Sequence, residues 1–155
     1  RKVITHLSVK GSENLAAGLV LSTVIVDVER IGDYIKNMVD LTEMHPQKLT
    51  SETNAKVLHE IEDTLRRIFK STPECIENGD EILALEIYSE TREIGLTCDK
   101  HIKELVSKNH PDLETSSAAL LALYFRYLKR INAHLRNIIS SIINPYDRIG
   151  FRPKE

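Results

Sequence analysis

Two acidic residues, Glu29 and Asp33, have the types and spacing that could do chemistry most directly. They lie four positions apart in VDVERIGDYIKNMVDL, residues 26–41. At about 100° per residue, this spacing places both side chains on one face of a helix, one turn apart. Two carboxylates so placed can bind a hard or borderline cation if another helix supplies further oxygens. The alternative interpretation is a solvated acidic face that binds nothing.

The same segment returns in altered form 100 residues later, as RYLKRINAHLRNIISS at residues 126–141. Both copies have apolar residues in steps of three and four, the pattern of one helical stripe. Arg30 matches Arg130 and Asn37 matches Asn137, which predicts an internal repeat. The residues predicted to face inward are Leu21, Val24, Val28, Ile31, Ile35 and Met38 in the first copy, and Leu121, Tyr124, Leu128, Ile131, Leu135 and Ile138 in the second.

The first copy resembles the signature of PhoU proteins, in which one helix carries an E-R-I-G-D core followed by an Asn at helical spacing. This resemblance extends over about residues 4–143, and it implies that Glu29 and Asp33 bind zinc or iron on the surface of a helical bundle. The second copy resembles the partner signature but has Lys129 and Ala133 where the family has its Glu and Asp. The resemblance therefore implies no second metal site.

Lys129 places a cation where a metal ion would need an anion. We expect Lys129 to pair instead with acidic residues on the neighbouring helix, such as Glu86, Glu90 or Glu93. An exposed pair of this kind contributes only about 0–1 kcal/mol, so the pairing concerns charge balance more than stability.

The elements that would position these groups are all helices, because no stretch shows sustained period-two alternation. Helices are predicted over residues 13–43, 51–79, 81–108 and 112–143, the last three being antiparallel neighbours joined by short turns. Gly79 suits a left-handed stop and Asp80 a helix cap, while Pro73 predicts either a kink or a break in the second helix.

The predicted fold is all-α: an antiparallel three-helix bundle of PhoU type, preceded by the last helix of a truncated bundle. Residues 1–45 are interpreted as the C-terminal part of a first three-helix unit, and residues 50–144 as a complete second unit. Residues 145–155 form a tail that we expect to be ordered only if it docks. PhoU proteins contain two such units in tandem, which agrees with this division.

Net charge, cysteine spacing and the length of the most apolar run limit the classes of function that the sequence suggests. The chain has 155 residues and a formal net charge of -2 with both signs interspersed, which argues against nucleic-acid binding. Cys75 and Cys98 lack zinc-type spacing and are predicted to be reduced core residues. The most apolar run, residues 15–26, is too short to span a bilayer.

The sequence does not predict an enzyme. A di-iron site of ferritin type needs Glu-x-x-His pairs, and none of the six histidines has a Glu three residues before it. A Ser or Cys hydrolase needs a nucleophile beside a base, and no motif offers that arrangement.

The resemblance implies a regulatory role in phosphate transport. PhoU proteins are cytoplasmic regulators of phosphate uptake or, in another branch, soluble domains at the C-terminus of sodium-phosphate cotransporter-like membrane proteins. The start without Met, the altered second motif and residues 144–153 favour the second branch. This branch implies a partner membrane transporter domain in the same polypeptide, and a location on the cytoplasmic face of the cell membrane.

Two alternatives remain open from the sequence. One is a free-standing cytoplasmic regulator of phosphate uptake. The other is a metal-free helical interaction module, in which an exposed apolar stripe on the helix at residues 13–43 predicts self-association as a homo-oligomer or docking onto another bundle.

Overall fold

The structure, a computed structural model, describes residues 15–45, 52–107 and 113–153. Over these ranges the chain is helical and has no strand, which confirms the all-α prediction. The four helices are α1 (Leu15–Met44), α2 (Glu52–Asn78), α3 (Glu81–Ser107) and α4 (Thr115–Ile143), and a 3-10 turn at Tyr146–Arg148 follows α4.

The helix bounds agree with the predicted ones to within one residue wherever both are described. The predicted helix bounds at residues 13, 51, 108 and 112 lie outside the described residues. Among the described helices, none combines the length and the apolar character needed to cross a bilayer.

The turn between α2 and α3 forms as its sequence predicts. Gly79 has a φ of +60°, the left-handed region that favours glycine. Asp80 caps α3, because its Oδ1 accepts a hydrogen bond of 3.0 Å from the backbone N–H of Leu83. Pro73 lies inside α2 and does not break it, since the helix is continuous from Glu52 to Asn78.

Helix α4 is the centre of the fold. It packs along α3 and α1 over long contacts and also contacts α2. Its predicted stripe is buried except for Tyr124, which is partly buried, and a second face that includes Phe125 and Ile139 is fully buried as well. The buried apolar residues that α2 and α3 contribute include Leu58, Ile61, Leu65, Ile68, Cys75, Ala84, Ile87, Ile94, Cys98 and Leu105.

Helix α1 does not bury the stripe that was predicted for it. Ile31 is buried, but Leu21, Val28 and Ile35 are about half exposed, at 50%, 54% and 49%. The face that contacts α4 is rotated to positions 24, 27, 31, 34, 38 and 41, which follow the same steps of three and four. Because α1 packs extensively only on α4, one line of residues is enough to make its contact.

The residues after α4 fold back onto the bundle, so the tail docks. The side-chain Nδ2 of Asn144 donates hydrogen bonds to the backbone carbonyls of Arg148 (3.1 Å) and Phe151 (2.9 Å). The backbone N–H of Gly150 donates to the Ser140 hydroxyl at 2.6 Å. Gly150 has a φ of +84°, so a residue with a side chain would be strained at this close approach.

Candidate functional site

The structure places Glu29 and Asp33 on the outer surface of α1, as predicted. Both residues are exposed, with 55% of the Asp33 side chain accessible. Arg30, one residue after Glu29, directs its guanidinium toward Asp33, with 3.4 Å between Nη1 and Oδ2. The two carboxylates therefore share an open face, and one of them already has a weak cationic neighbour.

These carboxylates alone do not make a complete metal site. Structural zinc takes four protein ligands and non-haem iron takes more than two. Within residues 15–45, 52–107 and 113–153, no three His, Cys, Asp or Glu side chains come together in a way that could hold a metal ion. Zinc or iron binding at Glu29 and Asp33 stays a prediction.

At the equivalent place on α4, Lys129 pairs with a carboxylate of α3. Its Nζ lies 2.5 Å and 2.6 Å from the two carboxylate oxygens of Asp99. The predicted pairing with the neighbouring helix is thus found, but the predicted partners Glu86, Glu90 and Glu93 are wrong. Glu90 instead forms an ion pair with Arg67 of α2.

The register between α3 and α4 explains this difference. The His101 and Phe125 rings stack at 5.1 Å, and Asn132 lies beside Gly95. In this antiparallel arrangement Lys129 lies opposite residues near Asp99, and Glu93 is more than one helical turn further along α3. Sequence alone did not specify this register, because apolar residues in steps of three and four repeat with every turn of a helix.

A polar cluster that sequence reasoning missed joins α1 to α4. Asp27 is buried, and its Oδ1 accepts hydrogen bonds from His134 Nδ1 (2.7 Å) and Asn137 Nδ2 (3.2 Å). The carboxylate fixes the proton on Nδ1, because an ionised carboxylate only accepts. The other ring nitrogen of His134, Nε2, is buried without a hydrogen-bond partner among the described residues.

Aromatic contacts extend this cluster along the interface. The Tyr34 ring stacks on His134 with 5.8 Å between centroids and lies 6.0 Å from the Tyr127 ring. The Tyr34 hydroxyl accepts a hydrogen bond of 3.0 Å from Arg130 Nε. A signal for Asp27 and Tyr34 was present in the sequence, since both follow the steps of three and four that pass through Ile31.

Asp27 and His134 have the orientation that acid–base enzymes use, with a carboxylate on Nδ1. Such enzymes also need a nucleophile or substrate at Nε2. Here Nε2 is enclosed and contacts no hydrogen-bonding group of the described residues. What the described residues show is a hydrogen-bonded link between α1 and α4.

The two cysteines are free and buried, which confirms the prediction that they are unpaired core residues. Burial, together with the neighbouring Asp99 charge, raises the pKa of Cys98 to about 12. Burial and Asp80 also raise the pKa of Cys75. Both thiols are protonated near neutral pH, which makes them poor nucleophiles and poor metal ligands.

Comparison of the chain with family models, with curated proteins and with solved structures gave no match. The grounds for a function are therefore the residues, their geometry and the E-R-I-G-D resemblance.

Proposed function

We propose that this chain is a PhoU-like regulatory domain linked to inorganic phosphate transport, of the kind attached to sodium-phosphate cotransporters. The observation that carries the proposal is the outward position of the two carboxylates of the E-R-I-G-D core on α1. Glu29 and Asp33 lie on one exposed face, where a partner or an ion can reach them. The proposal would lose its basis if these residues were enclosed in the core.

The packing of α1 on α4 supports regulation by binding or conformational coupling. Along this interface the two near-repeats lie side by side, and Asp27, His134 and Asn137 hold them together. The opposite side of α1 is open, so a ligand or partner bound there can bias the position of α1 without disrupting the core of α2, α3 and α4.

The test of this function is phosphate uptake by cells that depend on the whole protein. We expect Glu29→Gln combined with Asp33→Asn to change uptake or its response to external phosphate. Asp40→Asn combined with Glu43→Gln is the matched control, because it removes the same charges from the same helix and should leave uptake unchanged. Unchanged uptake after deletion of residues 15–153 would contradict the proposal.

Metal binding at the first motif is tested separately by equilibrium dialysis of zinc or iron against the 155-residue chain. We expect the Glu29→Gln and Asp33→Asn double variant to lose bound metal that the Asp40→Asn and Glu43→Gln control retains. Equal stoichiometry in all three proteins would refute a metal site at this motif and leave the transport assignment to the uptake experiment.

A second candidate function, a helical interaction module, is favoured by the unpaired apolar face of α1. This face is formed by Leu21, Ile25, Val28, Ile35 and Val39, each about half exposed. It borders a groove of about 470 Å³ between α1 and α2, whose floor is α4. Half-exposed apolar residues in one continuous row on a helix are typical of a protein contact.

The occupant that the sequence of this face fits best is α1 of a second copy. In an antiparallel arrangement with its two-fold axis near Gly32, Val28 lies opposite Ile35 of the partner subunit. Glu29 then lies close to Lys36 of the partner subunit, so the charges at the edge are complementary. The space beside Gly32 is open, because a Cβ there would meet no atom within 4 Å.

Sedimentation at increasing concentration tests this association. We expect the unmodified chain to form dimers and Ile35→Glu to remain monomeric, since a charge would be buried in the contact. Ile82→Glu on α3 is the control, because Ile82 is exposed (74%) but outside this face, and it should still dimerise. Glu29→Lys should weaken the dimer, and adding Lys36→Glu should restore it. A monomer at all concentrations would exclude this contact.

A further inference from the structure

A pocket of about 490 Å³ lies where α3, α4 and the C-terminal segment meet. Arg92 comes from α3, Arg136 from α4 and Arg152 from the C-terminal segment. Tyr88 and Ser89 of α3 complete its polar lining. This pocket is separate from the Glu29 and Asp33 face, and neither carboxylate lines it.

The charge of this pocket is one-sided. Of the described residues that line it, three are arginines and none is acidic, although the whole chain carries a formal charge of -2. No ion pair of Arg92 or Arg136 occurs within the described part of the chain. Clustered guanidinium groups repel one another, so the arrangement is costly unless an anion lies between them.

One hydrogen-bond donor of Arg136 is also unsatisfied. Its Nε is buried and has no hydrogen-bond partner among the described residues. A buried donor without a partner costs roughly 1–3 kcal/mol and therefore calls for an explanation. The guanidinium is held in place over Tyr88, with Cζ 5.9 Å from the ring centroid.

The third arginine reaches the pocket through the docked tail. Asn144 accounts for this placement, because its side chain donates to the carbonyls of Arg148 and Phe151. Arg148 also donates from Nη2 to the Arg152 carbonyl at 3.2 Å. The tail thus adds one wall and one charge to a site whose other parts belong to the bundle.

We propose that this pocket binds a small multivalent oxyanion, with phosphate groups or carboxylates as its anionic ends. Planar guanidinium groups form paired hydrogen bonds to both kinds of oxyanion. The volume lies in the range of small-molecule sites and exceeds what one orthophosphate needs, and three guanidinium groups from separate segments can contact more than one anionic group of a ligand. This site is independent of the proposed transport function.

Isothermal titration calorimetry of the 155-residue chain tests the proposal, with sodium tripolyphosphate and citrate as separate probes. We expect saturable binding of at least one probe. The probe that binds more tightly shows whether the pocket prefers phosphate groups or carboxylates. Arg92→Ala and Arg136→Gln should each lower the affinity about tenfold or more, the scale of one charge-assisted hydrogen bond. Arg66→Ala, which makes the same charge change on α2, should leave it unchanged.

Two further measurements keep the test decisive. Circular dichroism establishes that each variant is folded, and Arg92→Lys keeps the charge but removes the paired hydrogen bonds, so it should bind more weakly than the unmodified chain. Absence of saturable binding by either probe would overturn the proposal. An equal loss of affinity in Arg66→Ala would overturn it too, because binding would then follow net charge alone.

Discussion

Helices α1 and α4 carry nearly the same apolar pattern 100 residues apart, yet the fold uses them differently. In α4 five members of the predicted stripe are buried and the sixth is partly buried, and a second face is buried as well. In α1 only Ile31 of the predicted stripe is fully buried, and half of the stripe faces outward. Similar sequence patterns thus produced a central helix and a peripheral one.

The difference lies in the number of neighbours. Helix α4 packs against α1, α2 and α3, whereas α1 packs extensively only on α4. A period of three and four identifies an apolar sector of a helix, but the surrounding helices decide which part of that sector is covered. The remaining sector of α1 is the face available to a further partner.

The polar residues of the two helices differ in the same way. Glu29 and Asp33 point outward on α1, while their counterparts on α4 are Lys129, which is paired with Asp99, and Ala133. On the inner side of α1, Asp27 is enclosed by His134 and Asn137 of α4. Lys129, His134 and Asn137 of α4 therefore contact neighbouring helices, whereas on α1 Asp27 is buried and Glu29 and Asp33 face solvent.

The largest expected effect compares equivalent residues, Leu135 of α4 and Ile35 of α1. Leu135 is 1% exposed and Ile35 is 49% exposed. We expect Leu135→Ala to lower the free energy of unfolding by about 2–5 kcal/mol, because it leaves a cavity in the core. Ile35→Ala should cost less than about 1 kcal/mol. Urea unfolding at low protein concentration measures both, and equal losses would contradict the division between the helices.

Cys98 tests how well α4 is sealed against α3. Because burial raises its pKa from 9.0 to about 12, the folded chain should hold roughly a thousandfold less thiolate at pH 8 than the unfolded chain. We expect iodoacetamide to leave Cys98 unmodified until the protein is unfolded in urea. Mass spectrometry of the alkylated peptides reads this out, and rapid native labelling would mean that the interface opens.

The sign of the associated pH dependence follows from the raised pKa. The protonated thiol is favoured in the folded state, so its contribution to stability is present below pH 9.0 and is lost as pH rises toward about 12. Cys98→Ala removes this dependence. The stability difference between the unmodified chain and this variant should therefore shrink between pH 8 and pH 10, and a difference that grows would show that the assignment is wrong.

A middle-sized effect compares two acidic residues of α1. Asp27→Ala removes the acceptor of His134 and Asn137, and we expect it to lower the free energy of unfolding by about 1–3 kcal/mol. Asp33→Ala should cost only about 0–0.5 kcal/mol, because Asp33 is exposed and loosely paired. Thermal and urea unfolding compare the two. Equal costs would mean that the buried cluster does not hold α1 on α4.

The smallest expected effect concerns the ion pair that occupies the altered second motif. Lys129→Met should change the free energy of unfolding by about 0–1 kcal/mol, because its partner Asp99 is largely exposed. Arg30→Met on α1 should give a change of similar size. A double-mutant cycle of Lys129 with Asp99 measures the pair, and a coupling energy well above this range would show that the pair is more than surface charge balance.

Sequence by itself determined the helices, their order and most of their bounds, because caps, turn residues and steps of three and four are local properties of the chain. It identified the inward stripe of α4, but not the second buried face of that helix, which includes Phe125 and Ile139. It also determined that Glu29 and Asp33 share a face, since four positions on a helix fix one side chain above another.

Tertiary structure alone decided which side of α1 is covered, that Lys129 meets Asp99, and that Asp27 is enclosed by His134 and Asn137. It also brought Arg92, Arg136 and Arg152 together from three separate segments. These outcomes depend on the register and the rotation of one helix against another. An apolar stripe repeats with every turn, so the apolar pattern alone does not select one register. The packing of the whole chain selects among them.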